Sequence, residues 1–508
     1  MSGAAGPAQV CKRRAVEVRA RASSTYRRRE PERSILYETV RAHWNTLLAE
    51  VAQRTDGGSL PGFVIAEFER YLSCGILANG FARVHCDACG KDLLVAFSCR
   101  GRGFCPSCTT RRMQGTAIHL VDRVIPWVPV RQWVLSLPRW ARFLLARDTL
   151  LITRTLDRTL REIFKSHRRR ARQAGLREPR TGAVTMVQRF GSLLNLNVHF
   201  HSIVPDGVFV REQGVVRFEP LPAPSDDEVK AILQKIVARV CKLLRPRLES
   251  GRDDARTPDA LAAAQAESVA TRLGTPSAAA TTKKHAAYLE GFSLHAGVHL
   301  HANDREGLSR LCGYGARPAL SQDRLSALPD GRLAIQMKRP LADGRQELAL
   351  EPVELLRRLA TLVPPPRAHI TRFHGAFAPA SKWRSEVVPA APIESPHEPR
   401  GTAPIPAAPA EPDAPAPLAE PSKPRRPDSK IRWADLLQRV FREDILACPC
   451  GARRRVIAFI TKQAVIKAIL EHLGLPTNCP PIAPARSTAP PNVDPWQDDV
   501  PSLQLAHR

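Results

Sequence analysis

The 508-residue sequence predicts an α+β fold with an N-terminal metal-binding segment. Three observations support this prediction: paired cysteines at 74–108, short stretches of alternating apolar and polar residues after residue 130, and helical periodicity between those stretches. Apolar residues make up 43% of the chain, which is typical of a globular protein with a sizeable core. No run of about 18 apolar residues occurs, so the sequence predicts no membrane span.

The charge balance is strongly basic, because 76 Lys and Arg residues against 49 Asp and Glu leave a net charge of +27. This balance favours nucleic acid as a partner over a merely solvated basic surface, since basic runs recur in separate regions. Residues 1–30 carry such runs and are predicted to be a flexible basic arm. They lack the apolar core of a secretion signal, although Arg and Ser also begin organelle transit peptides.

Residues 31–115 are predicted to form a helical and zinc-binding domain, with helices at 34–51 and 62–74. Cys86-x2-Cys89 and Cys105-x2-Cys108 flank a 15-residue segment, the spacing of two zinc knuckles that bring four thiolates to one Zn²⁺. The clustering of the cysteines favours a reducing compartment, which argues against two disulfides in their place. Because so short a segment has little core, the ion would be structural.

Two further cysteines in this region leave three alternatives open. Cys74 and Cys99 either complete a second zinc site with His85, replace a ligand of the first site, or are small core residues. Arginines near the cysteines and in a later basic run are predicted to contact phosphates, although such a run is usually only a solvated face. These candidate DNA-binding residues are Arg100, Arg102, Arg111, Arg112, Arg168, Arg169 and Arg170.

Residues 116–385 are predicted to form the next domain, in which strands and helices are interspersed. The predicted strands are at 130–137, 182–190, 196–204, 207–211, 215–221 and 291–301. The predicted helices are at 141–174, 226–244, 259–273 and 304–314.

Two histidines on the strand at 196–204 are the first candidate catalytic residues. Alternation turns His199 and His201 to one face of the strand, whereas Phe200 between them turns into the core. Two neutral imidazoles on one strand face are a natural start for a divalent metal site. The pattern also arises by chance, as His299-Leu300-His301 illustrates, so ordinary surface or core-edge histidines are the alternative.

Four stretches of the chain, taken in order, resemble a known family. They are the cysteine block at 74–108, QRFGSLLNLNVHFH at 188–201, VPDGVF at 204–209 and Tyr-x-x-Arg-Pro at 314–318. By these motifs the chain resembles the bacterial rolling-circle insertion-sequence transposases, which join an N-terminal zinc-binding domain to an HUH nuclease. Such a nuclease is a His-hydrophobic-His, tyrosine-dependent enzyme that acts on single-stranded DNA. The resemblance covers about residues 60–385 and a short piece near 432–461.

The resemblance implies an HUH-type nuclease domain, with an antiparallel sheet flanked by helices, and a role for each matching residue. His199 and His201 match the metal-binding pair. Tyr314 matches the catalytic nucleophile, and Arg317 would help to stabilise its phenolate. Gln188, on the preceding strand, is the candidate third metal ligand, and the alternative is a glutamine bonded to the sheet edge or to solvent.

Arg310 stands where some family members carry a second tyrosine, so a one-tyrosine enzyme is expected. The resemblance implies structural Zn²⁺, catalytic Mg²⁺ or Mn²⁺, and cutting and rejoining of single-stranded and element-end DNA through a 5′-phosphotyrosine. It also implies a cytoplasmic, nucleoid-associated enzyme and leaves the oligomeric state open. The alternatives are a non-catalytic zinc-containing DNA-binding regulator, in which Tyr314 only packs at a helix end, and a metal hydrolase for another phosphodiester.

The last part of the chain is predicted to contain a linker, a small module and a tail. Residues 386–430 are rich in Pro, Ala and Glu and are expected to be flexible, as is the disordered tail at 476–508. Residues 431–475 are predicted to form a small helical C-terminal module that contains Cys448 and Cys450. One Cys-x-Cys pair needs further ligands, so a bound ion and a remnant of a zinc knuckle are both open.

Overall fold

The computed structural model describes residues 26, 28–250, 260–270, 284–337, 340, 344–389 and 444–486. Most of the predicted basic arm, linker and tail lies outside these residues. Helices and antiparallel strands are mixed along the chain, which confirms the predicted α+β class. Within the described ranges, no helix combines the length and the apolar character needed to cross a membrane.

The helices and strands are numbered in chain order. The helices are α1 (Ile35–Arg54), α2 (Gly62–Ser73), α3 (Pro106–Arg123), α4 (Arg139–Arg147), α5 (Thr149–Gln173), α6 (Asp226–Ser250), α7 (Ala260–Ala270), α8 (Arg305–Gly315), α9 (Pro352–Leu362), α10 (Arg384–Val387) and α11 (Gln463–His472). The strands are β1 (Phe81–His85), β2 (Asp92–Ala96), β3 (Val130–Ser136), β4 (Gly182–Phe190), β5 (Leu196–Pro205), β6 (Gly207–Glu212), β7 (Val215–Pro220), β8 (Ala286–Leu289), β9 (Phe292–Leu300), β10 (Leu325–Ala327), β11 (Leu333–Gln336), β12 (Glu347–Leu350), β13 (Thr371–Gly375) and β14 (Arg455–Ile460).

The largest sheet in the described part of the chain has the strand order β13-β4-β5-β3-β9-β8, and its neighbouring strands are antiparallel. On one face, Val198 and Phe200 of β5 belong to the main hydrophobic core, to which α4, α5, α6, α7 and α9 contribute. On the other face, Met186 and Ile203 pack with residues of α3 and α8. The sheet is therefore covered on both faces, and α8 lies on the face opposite to Phe200.

The long elements agree with the sequence more closely than the short ones. The predicted strand at 182–190 has the bounds of β4, and the one at 196–204 ends one residue before β5 does. The sequence did not predict the short strands β1, β2, β10, β11, β12 and β13, or the helices α3 and α9. Strands of three to five residues contain too few alternations to be recognised, and their pairing is decided by distant partners.

The predicted helix at 141–174 is two helices, because the chain breaks at Asp148. The backbone of Asp148 is extended, and its side chain accepts hydrogen bonds from the amides of Leu150 and Leu151 at 2.7 and 3.1 Å. Asp is a favoured N-cap residue, so it ends α4 and begins α5 although the apolar periodicity continues across it.

The predicted domain boundaries also differ from the structure. Helices α1 and α2 share one hydrophobic core with the large sheet and α9, so residue 115 does not separate two compact units. Instead, residues 83–94 and 444–458 form a small unit, and most of the remaining described residues form a large one. The predicted helical module at 431–475 contains the strand β14 in its described part, and residues 481–486 of the predicted disordered tail are hydrogen-bonded to α1.

A buried ion pair joins the central strand β3 to the turn between β5 and β6. Arg131 donates to Asp206 at 2.6 and 3.1 Å, and its third nitrogen donates to the backbone oxygen of Ala296 on β9 at 2.9 Å. Both side chains are about 5% exposed. The pair therefore fixes the turn that follows the histidine strand.

We predict that Asp206→Asn lowers the free energy of unfolding by about 3–5 kcal/mol, because it leaves a buried guanidinium without its counter-charge. Urea denaturation followed by circular dichroism measures the change. Asp330→Asn, which breaks the exposed pair with Arg332, is the control and should leave the midpoint unchanged. Equal midpoints for both variants would contradict a structural role for the buried pair.

Candidate active site and metal centres

Two imidazoles lie side by side on β5, on the face opposite to its core residues. The ring centroids of His199 and His201 are 4.9 Å apart, and Phe200 between them is fully buried in the core. Strand β5 has β4 on one side and β3 on the other, so the pair lies in the middle of the sheet. The structure therefore has the alternation that the sequence predicted at these residues.

Hydrogen bonds orient both rings. Nδ1 of His199 lies 2.8 Å from the backbone oxygen of Asn197, so Nδ1 donates its proton and Nε2 keeps its lone pair. Nδ1 of His201 lies 3.2 Å from the side-chain amide of Gln132 on β3. The atom of Gln132 on that side is the amide nitrogen, which donates to Nδ1; a half-turn of the amide would put its oxygen there and leave the lone pair on Nε2 of His201. This Nε2 is buried and has no hydrogen-bond partner in the described part of the chain.

Both histidines are neutral near pH 7. Burial lowers the pKa of His199 to about 4, and Arg142 and Arg317 contribute to the lowering. Burial lowers the pKa of His201 to about 3, with contributions from His199 and Arg317. Neutral imidazole is the form that binds a metal cation, so the protonation state suits the candidate role.

Gln188 on β4 is paired directly opposite His199. Its amide nitrogen donates to the backbone oxygens of Tyr314 and Gly315, at 2.8 and 2.9 Å, so it is bonded to the end of α8 rather than to the sheet edge. Its Oε1 is buried and has no hydrogen-bond partner within the described ranges. This amide oxygen is therefore left for a ligand, beside the two histidines.

Tyr314 lies in the last turn of α8, a helix that begins after the capping residue Asp304. Its ring centroid is 5.8 Å from that of His201, and the residue is 47% exposed. The guanidinium of Arg317 lies 4.8 Å from the ring centroid of Tyr314 and 4.8 Å from that of Phe190. Tyr314, the guanidinium of Arg317 and the two imidazoles therefore lie around one common site.

A cavity of about 70 Å³ adjoins this place. Its lining includes Gln188 and Arg317, together with Arg102 and Arg112 from the predicted DNA-binding set. Burial lowers the pKa of Arg112, and the charge of Arg102 adds to this effect. Cations that crowd together in this way favour an anion such as a phosphate between them.

The other predicted DNA-binding arginines have different surroundings. Arg169 and Arg170 on α5 lie 3.3 and 3.6 Å from the carboxylate of Glu228 on α6, so a neighbouring acid partly neutralises their charge. Arg100 is exposed and Arg111 is half-buried, both close in sequence to the cysteines.

The second His-x-His pair is engaged elsewhere. Nε2 of His299 lies 3.5 Å from the carboxylate of Asp206, and His299 is 42% exposed. Nδ1 of His301 accepts a hydrogen bond from the backbone amide of Asn303 at 3.4 Å. This pair provides a matched control for His199 and His201.

Four cysteines around the start of α3 form one thiol cluster: Cys74, Cys99, Cys105 and Cys108. Sγ of Cys108 lies 3.8 Å from that of Cys74 and 3.5 Å from that of Cys99, and Sγ of Cys105 lies 3.6 Å from that of Cys74. A tetrahedral zinc site with Zn–S distances of about 2.3 Å has sulfurs about 3.8 Å apart, whereas disulfide sulfurs are about 2.05 Å apart. The cluster therefore fits a closed structural zinc site.

Local backbone geometry builds this first cluster. Pro106 is the first residue of α3, a position that proline favours, so the chain continues after Cys105 as a helix. The backbone amides of Cys99 and Gly101 donate to Sγ of Cys74 and Cys99, at 3.4 and 3.2 Å. Such amide donors stabilise thiolates, the form that binds zinc.

The structure corrects the predicted grouping of the cysteines. Cys86 and Cys89 do not share a cluster with Cys105 and Cys108; the described residues hold a second set of four, which consists of Cys86, Cys89, Cys448 and Cys450. Cys74 and Cys99 are full members of the first set rather than small core residues. His85, their suggested partner, is hydrogen-bonded to Asp92 at 2.7 Å. Sequence spacing favoured neighbouring pairs, since it does not reveal ligands that come from the other end of a chain.

Gln132, which touches His201, was not among the residues that the sequence predicted for the site. A polar residue inside the apolar strand VRQWVLSL was the available signal. Whether Gln132 reaches the histidines depends on the register of β3 against β5. In that register Gln132 is opposite Ile203, and Val134, two residues further along β3, is opposite His201. That register is a tertiary property, so the sequence pattern alone does not supply it.

Two protein-family models match the chain. The family model described as "Transposase zinc-binding domain" matches residues 39–137, and the one described as "Putative transposase" matches residues 182–385. Searches among curated proteins and among solved structures gave no match. The first match contains the whole first thiol cluster, which supports zinc binding, and the second contains His199, His201 and Tyr314. The chain therefore carries a transposase zinc-binding domain ahead of a transposase domain, and in this it is similar to the IS91-type transposases.

Proposed function

We propose that this transposase cuts and rejoins single-stranded DNA by a rolling-circle mechanism, as an HUH-class nuclease with Tyr314 as its sole nucleophile. The proposal rests on one observation, the convergence beside Tyr314 of two neutral imidazoles and an amide oxygen, that of Gln188, which has no hydrogen-bond partner within the described residues. A packing role for Tyr314 would not require the buried, unpartnered Nε2 of His201 or Oε1 of Gln188. Buried polar atoms without partners are costly, and a bound cation would remove that cost.

A divalent cation fits this donor set. His199, His201 and Gln188 would hold it, and when bound it would polarise a scissile phosphate and neutralise charge that grows on its oxygens. Mn²⁺ accepts imidazole ligands more readily than the harder Mg²⁺ does, and Mg²⁺ is the expected ion in the cell. Gln132 would fix the ring of His201 so that Nε2 points to the ion.

The phosphoryl transfer itself is carried out by the side chains of the protein. The oxygen of Tyr314, with its proton lost to solvent, forms a bond to phosphorus while the bond from phosphorus to the 3′ oxygen breaks. The leaving oxygen takes up a proton and becomes a 3′-OH, and the 5′ phosphate stays on the tyrosine. Arg317, 4.8 Å from the ring, stabilises the negative charge that passes through the phenolate oxygen. Attack by another 3′-OH reverses the step, so joining needs no ATP.

The first thiol cluster has a different role in this proposal. Four thiolates leave no open coordination position, so a zinc ion held by Cys74, Cys99, Cys105 and Cys108 would be structural. It would fix the start of α3 and the adjoining loop, from which Arg102 and Arg112 reach the cavity beside Gln188. Zinc and the arginines would thus position DNA, and an enzyme of this kind would act in the nucleoid.

A second surface suits the DNA backbone. A cavity of about 980 Å³ between α5 and α6 is lined by eight basic and three acidic side chains. Burial lowers the pKa of Arg168, and the nearby charges of Arg172 and Arg180 contribute. These guanidiniums repel one another, and a phosphate chain would relieve the repulsion. Because α5 packs on the core face of the sheet, this groove is on the face opposite to the histidines.

We predict that His199→Ala with His201→Ala lowers the rate of single-strand cleavage by about 10³-fold or more, since the charge stabilisation by the cation is lost. Cleavage of a labelled oligonucleotide from the element's end, with Mn²⁺ or Mg²⁺, measures it. The matched control His299→Ala with His301→Ala should cleave at the wild-type rate, and both variants should keep their zinc. A larger loss in the 299/301 variant would refute the assignment.

We predict that Tyr314→Phe removes the covalent protein–DNA adduct and leaves DNA affinity unchanged, because only the attacking oxygen is lost. Denaturing gel electrophoresis with labelled single-stranded DNA detects the adduct. Tyr288→Phe, at a more exposed tyrosine on β8, should form the adduct normally. Absence of any adduct from the wild type, with tight DNA binding retained, would instead favour a DNA-binding regulator.

For the groove, we predict that Arg168→Glu with Arg172→Glu raises the Kd for DNA more than 10-fold and reduces the slope of log Kd against log salt by about 2. Fluorescence anisotropy over a salt series measures both. The control Arg332→Glu with Lys467→Glu makes the same charge change outside the groove and should alter the slope much less. Equal slopes for the two variants would mean that the effect is only one of net charge.

A further inference from the structure

The second thiol cluster joins two parts of the chain that are far apart in sequence. Cys86 and Cys89 lie in the turn between β1 and β2, and Cys448 and Cys450 lie just before β14. Sγ of Cys86 is 3.6 Å from that of Cys450, and Sγ of Cys89 is 3.5 Å from that of Cys448. One sulfur atom from each of the four residues lies within 4.8 Å of the others.

We propose that Cys86, Cys89, Cys448 and Cys450 hold a second structural zinc ion, which makes the segment around Cys448 a part of the zinc-binding domain. The transposase zinc-binding match ends at residue 137 and the transposase match at residue 385, so neither covers the C-terminal pair of ligands. This site is independent of the nuclease chemistry proposed above.

The sulfur distances distinguish zinc from disulfides. About 3.8 Å separates two sulfurs of a tetrahedral zinc site, whereas about 2.05 Å separates the sulfurs of a disulfide. Both measured distances are close to the first value and far from the second. Each close contact also pairs a sulfur of one segment with a sulfur of the other, so the four ligands interleave around one point.

The two segments have related tight turns, each closed by a glycine amide, that differ by one residue in length. In the first, the amide of Gly90 donates to the backbone oxygen of Cys86 at 2.8 Å; in the second, the amide of Gly451 donates to that of Cys448 at 2.9 Å. Both glycines have positive φ, of 68° and 88°, which favours glycine at these positions. A Cβ at either position would meet nothing within 4 Å, so the backbone conformation and not space requires the glycine. The C-terminal Cys-Pro-Cys-Gly is therefore built as a second zinc knuckle.

Apart from the pairing of β14 with β1 in a three-stranded sheet, the interactions between the two segments are weak. The unit formed by residues 83–94 and 444–458 buries the aliphatic side chains Val84 and Ile445, which is a very small core. Arg455 donates to Asp87 at 2.8 and 3.1 Å, but both side chains are more than half exposed, and such ion pairs contribute little. A closed tetrathiolate zinc site contributes folding free energy directly, so it supplies what the small core lacks.

The C-terminal segment completes the ligand set that the N-terminal pair begins. Cys86 and Cys89 alone supply only half of a tetrahedral shell. A chain that ended before residue 444 would leave these two thiols without their partners and would bind one zinc ion fewer. The number of bound zinc ions per chain therefore shows whether the C-terminal segment is bound to the N-terminal pair of cysteines.

The test is the zinc content of the full-length chain, purified under reducing conditions and measured by mass spectrometry of the metal. We expect about two zinc ions per wild-type chain and about one in Cys448→Ser with Cys450→Ser. Cys479→Ser, at an exposed cysteine outside both clusters, is the control and should keep both ions. Cys105→Ser with Cys108→Ser should lose the other ion. Two ions in the Cys448/Cys450 variant, or one ion in the wild type, would overturn the proposal.

A second measurement uses the wild-type chain and does not depend on variants that fold. The zinc-loaded protein is treated with N-ethylmaleimide, and the alkylated cysteines are identified by peptide mass spectrometry. Cys448 and Cys450 should react at least 10-fold more slowly than Cys479 and lose this protection after removal of zinc by a chelator. Alkylation of Cys450 as fast as that of Cys479 in the zinc-loaded protein would contradict the site, because both are exposed in the absence of a metal–sulfur bond.

Discussion

The pairing of β4 with β5 is the constraint on which the candidate active site depends. A shift of one residue in an antiparallel register would turn His199 and His201 into the core and Phe200 out to the substrate. The observed register sets Gln188 opposite His199, and the same glutamine anchors the last turn of α8 through two hydrogen bonds. One pair of strands therefore fixes the imidazoles, the amide oxygen and the helix end that carries Tyr314.

The two faces of that sheet have separate tasks in this account. The histidine face meets α3 and α8 and holds the chemistry, whereas the Phe200 face carries the main core and, outside it, the basic groove between α5 and α6. Zinc acts at neither place directly. The first thiol cluster lies beside the loop that carries Arg102 and the helix α3 that carries Arg112, and the second concerns the C-terminal segment. Substitutions in the groove (Arg168→Glu with Arg172→Glu) should therefore affect DNA binding, and substitutions of the histidines (His199→Ala with His201→Ala) should affect catalysis, independently of each other.

Local patterns in the sequence were enough to find the histidine strand, its neighbour β4 and the helix that ends near Tyr314. The regular alternation of the histidine strand in particular was not overridden by tertiary contacts. The zinc ligands could not be grouped in this way, because Cys89 is 359 residues from Cys448 and the spacing of Cys86, Cys89, Cys105 and Cys108 suggested a nearer solution. Gln132 and the break at Asp148 were missed for a similar reason, since side-chain hydrogen bonds decide both.

The central claim is that Tyr314 attacks DNA, and mapping the covalent bond tests it most directly. The wild-type chain would be incubated with Mn²⁺ and a single-stranded oligonucleotide that carries a sulfur in place of the bridging 3′ oxygen, which prevents rejoining after cleavage. Trypsin digestion and mass spectrometry then locate the attached nucleotide. The account predicts a 5′-phosphate on Tyr314, in the tryptic peptide that begins at Leu311. A nucleotide on another residue, or cleavage without any attached nucleotide, would contradict it.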